Sequence, residues 1–547
     1  MSRFIFHIKH YWRLYAAESL FFIIGGVLMS HLYDVSIAKH DYYSVKAASQ
    51  YDAHQAAEPR GVISFSSKTN YLIPAAVNKE IPYIYAAPAE VTVEHKKDFV
   101  DAVETILHRS SGEATALLDD SHSFFNILEE SPSPELVAQV QNANVQGLHV
   151  GNRLMRYYPN NTLAANVLGF VADMYNNPHG QYGIEEEYQT TLGDKTNPAD
   201  LVLTIDYNIQ QEGESILDQL MQTWKADSGT VIVEEPSTGA ILAMAQRPSF
   251  NPNTYSNFPV KNFLNQNISD VYEPGSVFKA ITFASALDAG KITPETTYVD
   301  TGALTMSGYT IRNWDLKAYG MQTMVQVLQN SLNVGAAFIE RQLGPDLFLR
   351  YVKEFGFGTD TGIDLPGEAA GNLYNLKGFE PLYFATASFG QGISVTPLQL
   401  IMGISALANH GILMKPYMVS SILYNDGTSK EIAPQEVKRV VSEDTAKKSV
   451  DALVSVVEHG IIGEVPGYRV AGKTGTAQIP SPKGGYEPNA YTDDYVGFAP
   501  ADHPRFVILI KLVRPIGAPL SGATVVPAFR DFTKFLLDYY NIPPDQH

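Results

Sequence analysis

The most constraining feature of this sequence is the order in which three short polar motifs follow one another. Ser276 and Lys279 stand three residues apart, Ser331-Leu332-Asn333 follows, and Lys473-Thr474-Gly475-Thr476 lies near the C-terminus. Each motif is short enough to occur by chance. Together and in this order they predict one serine active site assembled from distant parts of the chain.

Ser276 and Lys279 have the spacing of neighbours on one helix face. Lys279 can then direct its amine at the Ser276 hydroxyl, and an apolar setting would lower the pKa of the amine and make it a base. A position at the helix start also points the backbone N–H of Ser276 at a developing oxyanion. The same pattern recurs at Ser36 and Lys39, where no catalytic partners follow.

Ser331-Leu332-Asn333 lets two polar side chains face one way while Leu332 faces the core. The Ser331 hydroxyl could relay a proton, and the Asn333 amide could hold either a substrate carbonyl or the Lys279 amine. The triplet Ser249-Phe250-Asn251 has the same form, but it precedes Ser276 and lies between prolines. Most such triplets are turns.

Lys-Thr-Gly occurs once in the chain, at Lys473-Thr474-Gly475. On an edge strand, alternation sends Lys473 and Gly475 to one face and Thr474 and Thr476 to the other. Gly475 would permit close approach of a substrate strand, with Lys473 attracting a terminal carboxylate and a threonine hydroxyl bonding it. The backbone N–H of Thr476 is the candidate second oxyanion donor.

Composition excludes several other chemistries. The 547 residues include 39 Lys plus Arg against 58 Asp plus Glu, a formal net charge of −19, so nucleic acid is not an expected partner. Cysteine is absent, which rules out disulfides, thiolate catalysis and cysteine-bound zinc. The 14 histidines show no ligand spacing. We therefore expect no metal and no cofactor.

An apolar run from Leu14 to Leu32 has the length of a membrane span. Basic residues precede it, which favours a cytoplasmic N-terminus and an exported remainder. Glu18 lies within the run, as an interfacial acid or a contact to another membrane helix. No small-residue cleavage site follows, so we expect an uncleaved single-pass anchor in the cell membrane, with a cleaved signal peptide as the alternative.

Three regions are expected along the chain: a cytoplasmic N-terminus and transmembrane anchor (1–33), a membrane-proximal pedestal domain (34–200) and a catalytic domain (201–547). Helical spacing predicts helices at Lys96 to His108, Ser133 to Asn142 and Asp206 to Lys225. A hairpin is predicted over 229–244. Strands are predicted at 468–479, 495–499 and 505–514, and a closing helix at 527–540. The expected fold class is α+β, an antiparallel sheet built from both ends of the domain with helices on its faces.

With these motifs the sequence resembles the class B penicillin-binding proteins, the peptidoglycan D,D-transpeptidases, and most of all their division type, the FtsI/SpoVD-like branch. The resemblance extends beyond the active-site motifs to six others: Arg60-Gly61-Val62-Ile63, Arg156-Tyr157-Tyr158-Pro159, Gly183-Ile184-Glu185, Leu203-Thr204-Ile205-Asp206, 361–368 (TGIDLPGE) and 389–397 (FGQGISVTP). One departure is Ser64-Phe65, where the family often has an Asp-Arg pair.

The resemblance implies a serine β-lactamase-like transpeptidase domain on a pedestal resembling the family's dimerisation domain. It also implies that Ser276 forms an acyl-enzyme with a stem peptide, releases D-alanine and passes the acyl group to a neighbouring amine. Stem peptides are then substrates, β-lactams inhibitors, and a multi-span membrane glycosyltransferase and division proteins the expected partners in septal wall synthesis. Alternatives are an elongation-type transpeptidase, a D,D-carboxypeptidase or β-lactamase of the same fold, and a non-catalytic scaffold or β-lactam sensor.

Overall fold

The computed structural model describes residues 20–33, 36–37, 59–69, 71–119, 123, 125–174, 177–460, 463–517 and 520–545. Residues 20–33 are helical. Among all these described residues, no helix is both long enough and apolar enough to span a membrane. The predicted anchor begins at Leu14, and its first part, with Glu18, lies outside the described residues, as does Lys39.

The chain divides into two compact units. One comprises Met1–Pro59 and Asn78–Met155, and the other comprises Arg60–Val77 and Arg156–His547. This division differs from the boundary expected at Asp200, because residues 60–77 and 156–200 pack with the catalytic part of the chain. The strands Ile73–Ala86 and Leu148–Tyr157 each contribute residues to both units.

The elements are numbered in chain order, without the 3-10 turns. The strands are β1 Ile63–Ser66, β2 Ile73–Ala86, β3 Asn126–Glu129, β4 Leu148–Tyr157, β5 Phe170–Met174, β6 Asn177–Gln181, β7 Ala199–Asp206, β8 Ser228–Glu235, β9 Ala240–Arg247, β10 Thr297–Asp300, β11 Ala303–Met306, β12 Tyr309–Arg312, β13 Gly320–Thr323, β14 Ile412–Met414, β15 Val419–Tyr424, β16 Ser429–Glu431, β17 Glu436–Arg439, β18 Ala471–Pro480, β19 Tyr486–Ala499 and β20 Phe506–Val513.

The helices alternate with these strands. They are α1 Lys96–Leu107, α2 Ser111–Asp119, α3 Pro134–Ala143, α4 Ala165–Leu168, α5 Gly183–Glu187, α6 Gln189–Leu192, α7 Tyr207–Trp224, α8 Gln266–Ser269, α9 Phe278–Asp288, α10 Met324–Gln329, α11 Asn333–Leu343, α12 Pro345–Glu354, α13 Pro381–Ala387, α14 Pro397–Ala408, α15 Glu443–Gly460 and α16 Ser521–Tyr540.

The smaller unit packs α1, α2 and α3 with β3 and parts of β2 and β4. Its core contains Phe99, Val103, Leu128 and Val140. The predicted helices at Lys96 and Ser133 are confirmed within one or two residues, and Ser133 caps the second by accepting a hydrogen bond from Leu136 N.

A five-stranded sheet, ordered β18-β19-β20-β8-β9, forms the centre of the larger unit, and every pair in it is antiparallel. The strands come from both ends of the unit, because β8 pairs with β20. Helices α7 and α16 cover one face, where Leu217 and Phe529 are fully buried. Helix α14 lies against the other face, with Ile404 in its core, and the 3-10 turn that precedes α9 contacts β18. The catalytic strand β18 lies at one edge of the sheet.

Three motifs of the family resemblance meet at one buried carboxylate in the larger unit. Glu185 is fully buried and accepts hydrogen bonds from Arg60 Nε at 2.6 Å, Arg156 Nε at 2.6 Å and Tyr158 Oη at 3.2 Å. The two guanidinium charges hold the pKa of Glu185 below its usual range against the opposing effect of burial. Glu185 therefore ties residues 60–77 to residues 156–200.

Several elements begin at residues other than the predicted ones, and the structure shows which residues cap or turn them. The helix expected from Asp206 is α7, and Asp206 is its cap, accepting from Asn208 N and Ile209 N. The hairpin turns at Gly239, where φ is +80°. The closing helix begins at Ser521 rather than at Pro527, which lies inside it. Strand β19 begins at Tyr486, well before the predicted Tyr495.

Candidate active site at the edge of the antiparallel sheet

Ser276 lies in a 3-10 turn, Gly275–Val277, that leads into α9. Gly275 has a φ of +54°, its N–H donates to Gly390 O at 3.2 Å, and a Cβ at Gly390 would lie 2.2 Å from Gly275 O. The backbone of the Phe389-Gly390-Gln391-Gly392 motif therefore fixes this turn. Val277 and Phe278 are fully buried, whereas Ser276 is only partly buried. The turn holds the hydroxyl outside the core.

Lys279 is 1% exposed and surrounded by three acceptors. Its Nζ donates to Ser331 O at 2.6 Å, to Asn333 Oδ1 at 2.8 Å and to Ser331 Oγ at 3.2 Å. Among the described residues, the Ser276 hydroxyl has no hydrogen bond to Lys279 or any other side chain. The amine therefore faces the second motif, with the Asn333 amide oxygen as one of its acceptors.

The backbone of the second motif is held in a left-handed turn. Ser331 has a φ of +51°, Leu332 is fully buried, and Asn333 is the first residue of α11. Asn333 Nδ2 donates to Arg312 O at 2.9 Å, which leaves Oδ1 facing Lys279. The two polar side chains thus converge on the amine, as the spacing predicts.

Lys473 approaches the same hydroxyl from strand β18. Its Nζ donates to Ser331 Oγ at 3.2 Å, to Thr474 O at 3.1 Å and to Thr474 Oγ1 at 3.3 Å. Lys473 is 2% exposed, and burial lowers the pKa of its ammonium to about 8. Ser331 Oγ therefore lies between two buried lysines.

Burial and the neighbouring charge both favour a neutral Lys279. Burial is the larger cause and the charge of Lys473 the second, and together they hold the pKa of Lys279 well below its usual value. A neutral amine can accept a proton, so Lys279 is the candidate base for Ser276.

Strand β18 shows the alternation expected of an edge strand. Lys473, Gly475 and Ala477 are buried, whereas Thr474 and Thr476 are half-buried. The turn of Ser276 lies against this strand, since a Cβ at Gly275 would be 3.4 Å from the Thr476 carbonyl carbon. The candidate substrate-binding residues and the nucleophile therefore belong to one surface.

The structure gives Gly475 a different role from the expected one. A Cβ at Gly475 would lie 1.8 Å from Asp494 Oδ1 and 2.9 Å from Pro274 O. The space beside this glycine is filled by the protein's own carboxylate, so close approach of a substrate is not what requires glycine here.

Sequence reasoning missed Asp493, Asp494 and Tyr272. Asp494 lies beside Gly475 in the sheet register and accepts a hydrogen bond from Tyr272 Oη at 2.8 Å. Asp493 faces the other side, where it accepts from Thr524 Oγ1 at 2.8 Å. Asp is rare in strands, so the predicted strand began after this pair.

Trp314 is 58% exposed and lies outside the core. Its Nε1 donates to Asn330 O at 3.3 Å, one residue before Ser331. Trp314 therefore lies on the surface beside the second motif. Within the described ranges, no cluster of three or more His, Asp or Glu side chains is arranged to hold a metal.

Comparison with known proteins identifies the family. Residues 229–534 match the penicillin binding protein transpeptidase domain, and residues 59–202 match the penicillin-binding protein dimerisation domain. The chain is 33% identical to stage V sporulation protein D of Bacillus subtilis over 82% of this chain and 74% of that protein. The chain belongs to the class B penicillin-binding proteins.

Further relatives of this penicillin-binding protein agree. It is 28% identical to the peptidoglycan D,D-transpeptidase FtsI of Escherichia coli, over 96% of this chain and 91% of that one. The crystal structure of penicillin binding protein 3 from Mycobacterium tuberculosis complexed with aztreonam superposes with a TM-score of 0.70 at 26% identity, covering 89% of this chain and 98% of that one. The family resemblance and the enzyme class predicted from the sequence are confirmed, and so is the pairing of a transpeptidase domain with a dimerisation domain.

Proposed function

We propose that this penicillin-binding protein cross-links peptidoglycan through an acyl-enzyme on Ser276. The observation that carries the proposal is the single hydroxyl, Ser331 Oγ, held between Lys279 and Lys473 beside the turn of Ser276. This arrangement offers a nucleophile, a base and a cation at one sheet edge. Relatives named peptidoglycan D,D-transpeptidases support the choice of substrate.

In the first half-reaction, Ser276 Oγ attacks the carbonyl carbon of the penultimate D-alanine of a stem peptide, and its proton passes to the Lys279 amine. The C–N bond to the terminal D-alanine then breaks, and that leaving amine takes the proton from Lys279 through the Ser331 hydroxyl. The products are an ester on Ser276 and free D-alanine. Lys473 holds the terminal carboxylate, assisted by Thr474, and the backbone N–H groups of Ser276 and Thr476 receive the oxyanion.

In the second half-reaction, an amine from a neighbouring stem peptide attacks the ester carbonyl. The amine loses a proton, which Ser331 Oγ passes to the neutral amine of Lys279, and Lys279 returns a proton to Ser276 Oγ as the ester bond breaks. A new amide forms and the enzyme returns to its starting state. Because β18 is an edge strand, a substrate strand can pair with it.

Labelling with a fluorescent penicillin tests the nucleophile. The wild type should become covalently labelled and Ser276→Ala should not. Ser36→Ala is the matched control, because it alters the same Ser-x-x-Lys pattern elsewhere, and it should label normally. Equal labelling of Ser276→Ala would overturn the assignment.

The fate of the acyl-enzyme separates cross-linking from hydrolysis. A long-lived penicilloyl enzyme, together with amide formation when an acceptor amine accompanies a stem pentapeptide, supports the transpeptidase. Rapid turnover of bound penicillin would indicate a β-lactamase, and release of D-alanine without cross-linking would indicate a carboxypeptidase.

The cellular setting forms part of the proposal. We infer a single-pass membrane protein with a cytoplasmic N-terminus and an extracytoplasmic catalytic domain, acting in septal wall synthesis with a multi-span glycosyltransferase. Support comes from the apolar run at Leu14 to Leu32 and from relatives named FtsI. A tagged full-length chain should gather at midcell and co-purify with such a partner. Uniform side-wall distribution would favour the elongation type, and full cell division with Ser276→Ala would favour a scaffold.

A further inference from the structure

Three charged side chains form a row beneath the active site, on the sheet face that α14 covers. Asp494 pairs in register with Gly475 on one side and with Lys511 on the other. Lys473 is two residues before Gly475 and projects to the same face, which makes it the diagonal neighbour of Asp494. Lys473, Asp494 and Lys511 are 2%, 1% and 2% exposed. One carboxylate therefore lies between two buried lysines.

Tyr272 covers this row from the segment that precedes Ser276. Its hydroxyl donates to Asp494 Oδ2 at 2.8 Å, and Lys511 Nζ lies 4.6 Å from the centre of its ring. Asp494 Oδ1 fills the space where a side chain at Gly475 would stand. The carboxylate is thus fixed against the catalytic strand from two directions.

The groups acting on the charge of Asp494 come from each neighbouring strand and from the covering segment. They are Tyr272, Lys473 on β18, Lys511 on β20, and Asp493 on the opposite face of β19. Asp270 acts on Lys511. Helix α14, which packs on this face of the sheet, carries no charged residue.

We propose that Asp494 is a positioning residue for Lys473, whose charge it maintains so that Lys473 can hold a substrate carboxylate and keep Lys279 neutral. The inference rests on the proposed function. Removing the Asp494 charge withdraws the carboxylate that offsets the burial of the Lys473 ammonium.

The direction of the effect follows from the charges. Burial raises the pKa of Asp494 to about 7 and lowers those of Lys473 and Lys511 to about 8. The ionised carboxylate raises the pKa of Lys473, so its loss lets Lys473 release its proton at lower pH. The ammonium of Lys279 is then repelled less by Lys473. The pKa of Lys279 therefore rises, and a smaller fraction of its amine is neutral at a given pH.

The test is the pH profile of the acylation rate with a fluorescent penicillin, measured on the full chain. The alkaline limb of Asp494→Asn should lie at least about half a pH unit below that of the wild type. Glu234→Gln is the matched control. Glu234 is a buried carboxylate on the same face whose pKa burial raises to about 7, but it bonds Ser405 and not the row. Its alkaline limb should not move.

A uniform loss of rate in Asp494→Asn without a shift would mean a merely structural role and would overturn the inference, as would an equal shift in Glu234→Gln. Tyr272→Phe provides a second reading if Asp494→Asn does not fold. It removes a donor that stabilises ionised Asp494, so the acid limb should move to higher pH, and an unmoved limb counts against the inference. A wild type that is not acylated overturns the proposed function as well.

Discussion

Lys279 and Lys473 donate to the same oxygen, Ser331 Oγ, each at 3.2 Å. Two ammonium groups this close repel, and both are buried, so one of them gives up its proton at a lower pH. Lys279 is that group, because burial and the charge of Lys473 both lower its pKa, whereas the carboxylate of Asp494 raises the pKa of Lys473 against the effect of burial. The base and the cation of the site are therefore determined by their neighbours.

Lys279→Arg should abolish acylation even though it keeps a positive charge, because a guanidinium does not deprotonate in proteins. The acylation rate should fall by about 10² to 10⁴, measured with a fluorescent penicillin. Lys291→Arg, at an exposed position after α9, controls for the substitution type. An Arg variant retaining near-normal acylation would show that Lys279 is not the base.

Ser331→Gly separates the hydroxyl from the backbone of the second motif. Ser331 has a φ of +51°, which glycine adopts without strain. We expect Ser331→Gly to be more stable than Ser331→Ala by about 1 kcal/mol in chemical denaturation, while both lose about 10²-fold or more in acylation. Normal acylation in either variant would remove Ser331 from the proton path.

Gly475→Ala should destabilise the protein by about 1 to 3 kcal/mol, because its Cβ would meet Asp494 Oδ1 at 1.8 Å. Asp494→Ala should relieve most of that clash, and the contact with Pro274 O would remain. A double-mutant cycle measured by denaturation should give a coupling of about 0.5 to 3 kcal/mol. Additive effects would mean that Asp494 does not occupy this space.

Glu185→Gln should be strongly destabilising, because the buried guanidinium groups of Arg60 and Arg156 would lose the charge of Glu185. Breaking a buried pair costs about 3 to 5 kcal/mol, read as a lower melting temperature. Glu187→Gln is the control, since Glu187 is an exposed neighbour on the same helix. Equal melting temperatures for the two variants would contradict this role for Glu185.

Glu234 should make the free energy of unfolding fall as the pH rises. Burial raises its pKa from 4.5 to about 7, so the folded state holds a proton that the unfolded state releases. The stability contributed by this group is present below pH 4.5 and is lost as the pH rises to about 7. Glu234→Gln should flatten the fall in unfolding free energy over that range by an amount on the order of 1 to 3 kcal/mol. An unchanged slope would contradict the buried acid.

The sequence predicted the antiparallel sheet built from both ends of the domain, but not which side chains face one another across its strands. The hydrogen bond between Lys279 and Asn333 was one of two alternatives that the sequence left open for the Asn333 amide. The partner of Gly475 could not be foreseen, since Asp494 reaches it only through the register of β18 and β19. Tyr272 was missed for the same reason, as its contact spans residues far apart in the chain. Consecutive aspartates before an apolar strand were the only local signal.

The pairing of β8 with β20 places Thr230 beside Lys511, although the ribosome makes them far apart in time. At a synthesis rate of about 5 to 20 residues per second, roughly 15 to 55 seconds separate the synthesis of β8 from that of β20. Ser276 and Lys279 are made early in that interval, whereas β18, which carries Lys473, is made near its end. A prematurely terminated chain would thus carry the nucleophile without the cation, so the enzyme gains its reactivity only when its own synthesis is nearly finished.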